Sequence, residues 1–138
     1  MKRILIITHS AMAKGIKDTV EFLAGEQNID CACCFTEISN PDQYIDEYIA
    51  TVGVDDKLIV FTDIKGGSVN QKMALRLKDD NFYLITGINL PLVLELSVAS
   101  EEAINKDYIN RVIDNARNEI VLMNDALKNN ENIEDDFF

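Results

Sequence analysis

Histidine occurs once in this chain of 138 residues, proline twice and cysteine three times, and acidic residues outnumber basic ones 24 to 13. Each shortage removes a class of function. One histidine, with no cysteines at ligand spacing, leaves no dedicated transition-metal site. Cys31, Cys33 and Cys34 crowd one strand-like segment and match neither a zinc pattern nor a redox pair. They read as small core residues, with Cys31 and Cys33 on one face and Cys34 on the other. A formal charge of −11 opposes binding to nucleic acid or to an anionic membrane surface, and suits a modestly basic protein partner instead. No apolar run approaches the length of a membrane span, and the run after Met1-Lys2-Arg3 is too short for a signal-peptide core. A cytoplasmic protein without direct membrane insertion is expected. Neither a Walker-type glycine-lysine motif nor a dinucleotide fingerprint is present, so a nucleotide is not the substrate indicated. Internal repeats and low-complexity linkers are also missing. The chain reads as one domain, large enough to bury roughly two-thirds of its unfolded surface.

What is present is a regular alternation. Arg3 to Thr8 is a continuous β-branched run, the mark of a strand covered on both faces. Met12, Ile16, Val20 and Leu23 follow at helical spacing, and Gly25 stops them. Ile29 to Phe35 forms a second strand. Asn40-Pro41-Asp42-Gln43 starts a helix, with asparagine as cap and glutamine reaching back, and Ile45, Tyr48, Ile49 and Val52 make its buried face. Lys57 to Thr62 is the third strand and Asn81 to Thr86 the fourth. Between them a helix is predicted from Ser68 to about Lys78, with Val69, Met73 and Leu77 inward. The helix expected from Leu90 to Ala99 is apolar nearly all round, which predicts deep burial or a subunit interface. A last helix is expected from about Asp107 to Lys128, with Ile109, Val112, Ala116, Ile120, Met123 and Leu127 on one stripe. Residues 1–128 make the domain, and 129–138 read as an acidic, disordered tail. Four strand–helix units with right-handed crossovers give an α/β fold. The expected sheet is doubly wound and parallel, ordered 2-1-3-4, with helices on both faces.

That order makes strands 1 and 3 neighbours at the topological switch point, where such sheets bind ligands. His9 and Asp63 are each the first ionisable residue after an apolar strand, and both emerge at that edge. A carboxylate accepting from one imidazole nitrogen leaves the other as a nucleophile or base. Gly66-Gly67 lie directly before a helix, so their backbone N–H groups can converge on an anion. Ser68 either caps that helix, in a capping box with Gln71, or gives its proton to a phosphoryl oxygen, or does both. Imidazole, carboxylate and anion cradle together point to phosphoryl transfer onto the ring itself. No metal and no cofactor is called for.

These residues resemble the enzyme IIA domain of the mannose-type sugar phosphotransferase system. The resemblance runs from the first strand into the last helix. It is carried by Thr8-His9 with Met12-Ala13-Lys14-Gly15-Ile16, by Thr62-Asp63 with Gly66-Gly67-Ser68, and by Thr86-Gly87-Ile88-Asn89-Leu90-Pro91. It implies that His9 accepts a phosphoryl group from HPr and passes it to a separate IIB component, which phosphorylates sugar during uptake. It further implies that Asp63 orients His9, while Ser68 and the Gly66-Gly67 backbone hold the phosphoryl group. A homodimer is implied too, in some members with an edge strand exchanged between subunits. Related domains serve dihydroxyacetone kinases as phosphocarriers, and a non-catalytic regulatory binding protein on the same fold is a further alternative. Three positions depart from the pattern: Ser10 stands where glycine is usual and is a good helix cap, Lys65 replaces an apolar or aromatic residue, and Val69 replaces proline. Ser10, Lys65 and Asn89 are the residues expected on the rim that a partner touches.

Overall fold

The computed structural model describes residues 1–128. Strands and helices alternate as β1 (Lys2–His9), α1 (Met12–Ala24), β2 (Ile29–Cys34), α2 (Pro41–Ala50), β3 (Lys57–Phe61), α3 (Ser68–Ala74), β4 (Phe82–Ile85), α4 (Leu90–Val98), α5 (Lys106–Arg117) and α6 (Met123–Lys128). The four strands form one parallel sheet in the order β2-β1-β3-β4, as the sequence predicts.

Alternation along each strand divides the core in two. Ile4 and Ile6 of β1 join Ile59 and Phe61 of β3 beneath α1, α4 and α5, which contribute Val20, Leu92, Leu96, Ile109 and Val112. Leu5 and Ile7 face the other way, with Leu58 and Val60, beneath Ile45 and Tyr48 of α2 and Val69 and Met73 of α3. Each such aliphatic side chain stabilises the fold by about 1.5–3 kcal/mol relative to exposure. The cysteines follow suit: Cys33 lies in the first core with Cys31 against it, and Cys34 in the second. Buried Leu92, Val93, Leu96 and Ser97 explain the apolar α4 by burial within the chain.

The amino edge of the sheet is fastened by two lysines paired across β1 and β3, Lys2 and Lys57. Lys2 Nζ donates to the carbonyls of Leu96 and Ser97 at 3.1 and 2.7 Å, and to that of Ala99. Lys57 Nζ donates to those of Glu101 and Ile104 at 3.0 and 2.6 Å. Both ammonium groups thus sit where α4 and the turn after it expose unpaired acceptors.

Several local expectations are revised. The stripe of α3 stops at Met73: the chain tightens into i→i−3 bonds at Arg76 and Leu77, and Leu77 is half exposed. The last helix is broken in the same way after Arg117, where Asn118, Glu119 and Ile120 donate three residues back. Beyond Ala116 the stripe has no sheet to cover, and Ile120 is largely exposed, with Met123 and Leu127 starting a separate α6. Gln43 does not reach back; Asn40 accepts from its amide, while its side chain donates forward to Glu47. Ser10 is not a cap. Ala11 holds that position, and buried Thr8 Oγ1 accepts from the Ala13 amide at 2.8 Å instead. The tail expected over 129–138 lies outside the described residues.

Ser10 has a left-handed backbone, φ 51°. Left-handed geometry costs a side-chain-bearing residue about 1–2 kcal/mol, and glycine loses roughly 0.5–1 kcal/mol more entropy on folding. Ser10→Gly is therefore expected to stabilise the fold by about 0.5–1 kcal/mol, read from urea denaturation midpoints. An unchanged or lowered midpoint contradicts that account.

Candidate functional site

The site lies at the carboxyl edge, between the ends of β1 and β3. Parity along β1 puts His9 with Leu5 and Ile7, on the face where α3 packs. One carboxylate oxygen of Asp63, Oδ2, accepts from both the His9 backbone amide and the ring Nδ1, each at 2.9 Å. Its other oxygen accepts from the Ile64 amide at 3.0 Å. An ionised carboxylate only accepts, so the proton on the ring is assigned to Nδ1 and the lone pair to Nε2. Nε2 faces the Ser68 hydroxyl at 3.2 Å. The His9 side chain is 38% exposed and that of Asp63 only 9%, so the acid is sheltered while the imidazole stays accessible.

The loop Asp63–Gly67 is held from the first turn of α3. Asn70 Oδ1 accepts the Gly66 amide at 3.0 Å, and Gln71 Nε2 donates to the Gly66 carbonyl at 2.6 Å. Asn70 Nδ2 also donates to Thr62 Oγ1, at the end of β3. Gly66 has φ 75°, a conformation that suits glycine. Gly67 relieves a tight spot: a Cβ there would sit 3.1 Å from the Ile64 carbonyl oxygen, while His9 Cε1, at 3.6 Å, would be at ordinary contact distance.

This geometry changes the expected cradle. The Gly66 amide is donated to Asn70 and the Gly67 amide to the Ile64 carbonyl, so neither is free for an anion. The capping box is not formed either. Gly67 is the N-cap of α3 with no side-chain bond, and Gln71 is turned to Gly66. Ser68 Oγ is thereby left to the imidazole. The α3 amides without an intrahelical acceptor are those of Ser68, Val69 and Asn70, because the first such bond runs from Gln71 to Gly67.

The rim is also redrawn. Lys65 is exposed in the loop, and Ser10 is exposed beside His9. Asn89 is committed elsewhere: Oδ1 caps α4 at the Leu92 amide, and Nδ2 donates to the Ala116 carbonyl. It links α4 to α5, which accounts for it without a partner. One residue at the site was not anticipated. Phe35, just past β2, stacks on the His9 ring with centroids 5.5 Å apart and planes 27° from parallel. Its place at the end of a strand neighbouring β1 was the available signal.

Burial pushes the Asp63 carboxyl up, but the bonds from the His9 amide, the His9 ring and the Ile64 amide together outweigh it. The group is held below the ordinary aspartate value of 3.8. The stability this contributes is fully present above pH 3.8 and is lost as pH falls through the lower folded value. Asp63→Asn is expected to flatten the acid side of the stability–pH profile below that point. A profile with the wild-type slope contradicts the assignment.

Comparison with known proteins identifies the family of the chain. A family model described as the fructose IIA component of the phosphotransferase system (PTS) matches residues 3–116. No curated protein matches the chain. A crystal structure assigned to a phosphoenolpyruvate-dependent sugar PTS permease from Klebsiella pneumoniae is 30% identical, with TM-score 0.85 over 91% of this chain and 93% of that one. The PTS IIA protein associated with the fucose utilization operon of Streptococcus pneumoniae is 26% identical, with TM-score 0.79 over 91% and 96%. The mannose/sorbose-specific IIA subunit from Enterococcus faecalis, 19% identical, shares the fold with TM-score 0.72 over 88% and 95%. The chain belongs to the fructose/mannose-type IIA family of the sugar phosphotransferase system.

Proposed function

We propose that residues 1–128 are a phosphocarrier domain in which His9 accepts a phosphoryl group from HPr and delivers it to a IIB component for sugar uptake. The observation that carries this reading is the aim of Nε2: Asp63 occupies Nδ1, so the one ring lone pair points at the Ser68 hydroxyl. In the forward step Nε2 attacks the donor's phosphorus in line. The N–P bond to the donor imidazole breaks, and the donor nitrogen keeps the electron pair. His9 then carries the phosphoryl group on Nε2 and a positive charge shared over the ring. Asp63 balances that charge and retains Nδ1–H. Ser68 Oγ turns its proton to a phosphoryl oxygen, with the amides of Ser68, Val69 and Asn70 and the dipole of α3 behind it. Delivery to IIB is the same displacement with His9 as leaving group. Among the described residues no helix is long and apolar enough to cross a membrane, and the proposal places the carrier in the cytoplasm.

Incubation with enzyme I, HPr and labelled phosphoenolpyruvate is expected to give an acid-labile label on the wild type and none on His9→Ala. Stable labelling of the alanine variant ends this reading. Asp63→Asn is expected to slow labelling on the order of 10²-fold through misplacement of the ring; wild-type rates remove its assigned role.

The second part of the proposal is a homodimer that exchanges an edge strand. Among the described residues β4 pairs only with β3, and a concavity of about 650 Å³ runs beside it, lined by Tyr83, Leu84, Ile109 and Ile113 among others. Exposed Ile120, Val121 and Leu122 form an apolar stretch outside regular structure between α5 and α6, which would supply the added strand in a dimer. Val121→Pro removes a ladder donor and is expected to turn a dimer into a monomer in sedimentation equilibrium, with an unchanged circular dichroism spectrum. A variant that stays dimeric rules out pairing through Val121.

A further inference from the structure

β1 and β2 end side by side, with His9 paired to Cys34, and the next residue of each strand is left-handed. Ser10 has φ 51° and Phe35 φ 68°, and among the described residues no other non-glycine residue has positive φ. The two turns are tied together. The Ser10 amide donates to the Cys34 carbonyl at 2.9 Å, and the Phe35 amide to the Ile38 carbonyl at 2.8 Å. A bulky side chain in this region is an outlier that persists only where the surroundings enforce it.

Core burial does not account for Phe35, because the residue is 55% exposed. Its aromatic contact is with His9, at 5.5 Å between centroids. The contacts to Asp63 at Nδ1 and Ser68 at Nε2 restrain the ring within its own plane but leave it free to tilt out of that plane. A flat neighbour lying 27° from the imidazole plane removes that freedom. We infer that Phe35 is a positioning residue for phosphoryl transfer, holding the His9 plane so that Nε2 stays aimed at the Ser68 side of the site. The left-handed backbone is what brings its ring over the histidine. This rests on the carrier reading of His9.

The test compares wild type with Phe35→Gly, Phe35→Leu and Phe35→Tyr. Thermal melts, single-turnover labelling over a range of phospho-HPr concentrations, and long-range proton–nitrogen spectra of the His9 ring are recorded. Glycine relieves the backbone, so Phe35→Gly is expected to melt at or above the wild-type temperature. Its labelling rate at saturating donor is expected to fall roughly tenfold or more, with a broadened His9 ring signal. Phe35→Leu keeps apolar bulk without a flat face and is expected to be slow as well, while Phe35→Tyr restores the rate and the sharp signal. A Phe35→Gly or Phe35→Leu protein as fast as wild type at saturating donor overturns the proposal. So does a loss confined to KM, which marks a docking contact. An unlabelled wild type overturns the carrier reading itself and this proposal with it, whereas a labelled wild type with equally fast variants overturns the proposal alone.

Discussion

A single carboxylate oxygen, Asp63 Oδ2, accepts from both the main chain and the ring of His9. That double acceptance couples the position of the imidazole to the position of the strand beneath it. It is available because β1 and β3 are neighbours, which in turn follows from the reversal of strand order at β1. The acid is sheltered and the ring accessible, so the bond between them sits where solvent competes least and its free end where a partner can reach. The rest of the site is arranged to keep that oxygen and that ring in place.

The polar side chains of α3 show how. Asn70 and Gln71 grip the two backbone groups of Gly66, and Asn70 also binds Thr62. The loop carrying Asp63 is thus fastened to the helix that carries Ser68, and the end of β3 is part of the same network. Because the glycine amides are used inside the loop, the proposed carrier relies for charge stabilisation on the Ser68 hydroxyl and the first-turn amides of α3 rather than on a glycine nest. The glycines serve other ends: one takes a left-handed turn, and the other avoids a tight contact with the Ile64 carbonyl oxygen.

Much of this was legible in the amino-acid sequence. Runs such as Ile4–Ile7 and Leu58–Phe61 are apolar at both parities, and only a strand covered on both faces asks for that. Strand order then placed His9 against Asp63. Less legible were features in which tertiary contact overrides a local pattern. Ser68 and Gln71 have the spacing of a capping box, but the same atoms have better partners in His9 and Gly66. Leu77 and Ile120 continue a helical period past the sheet that gives such a period its purpose. Ser10 reads as a cap, yet the turn after His9 demands a left-handed residue, and Thr8 takes over the capping. Phe35 lay in plain view at a strand end. Its stacking depends on a backbone angle that no side-chain pattern announces.

The lysine anchors at the opposite edge bear on all of this. With Lys2 bound to the end of α4, the first strand is gripped at its entrance as well as at its exit. Sliding by one residue would break both grips and exchange Ile4 and Ile6 for Leu5 and Ile7 between the two cores. Conformational tension in the turns beyond the strand therefore has no route of escape along the chain axis, and it stays where the imidazole is.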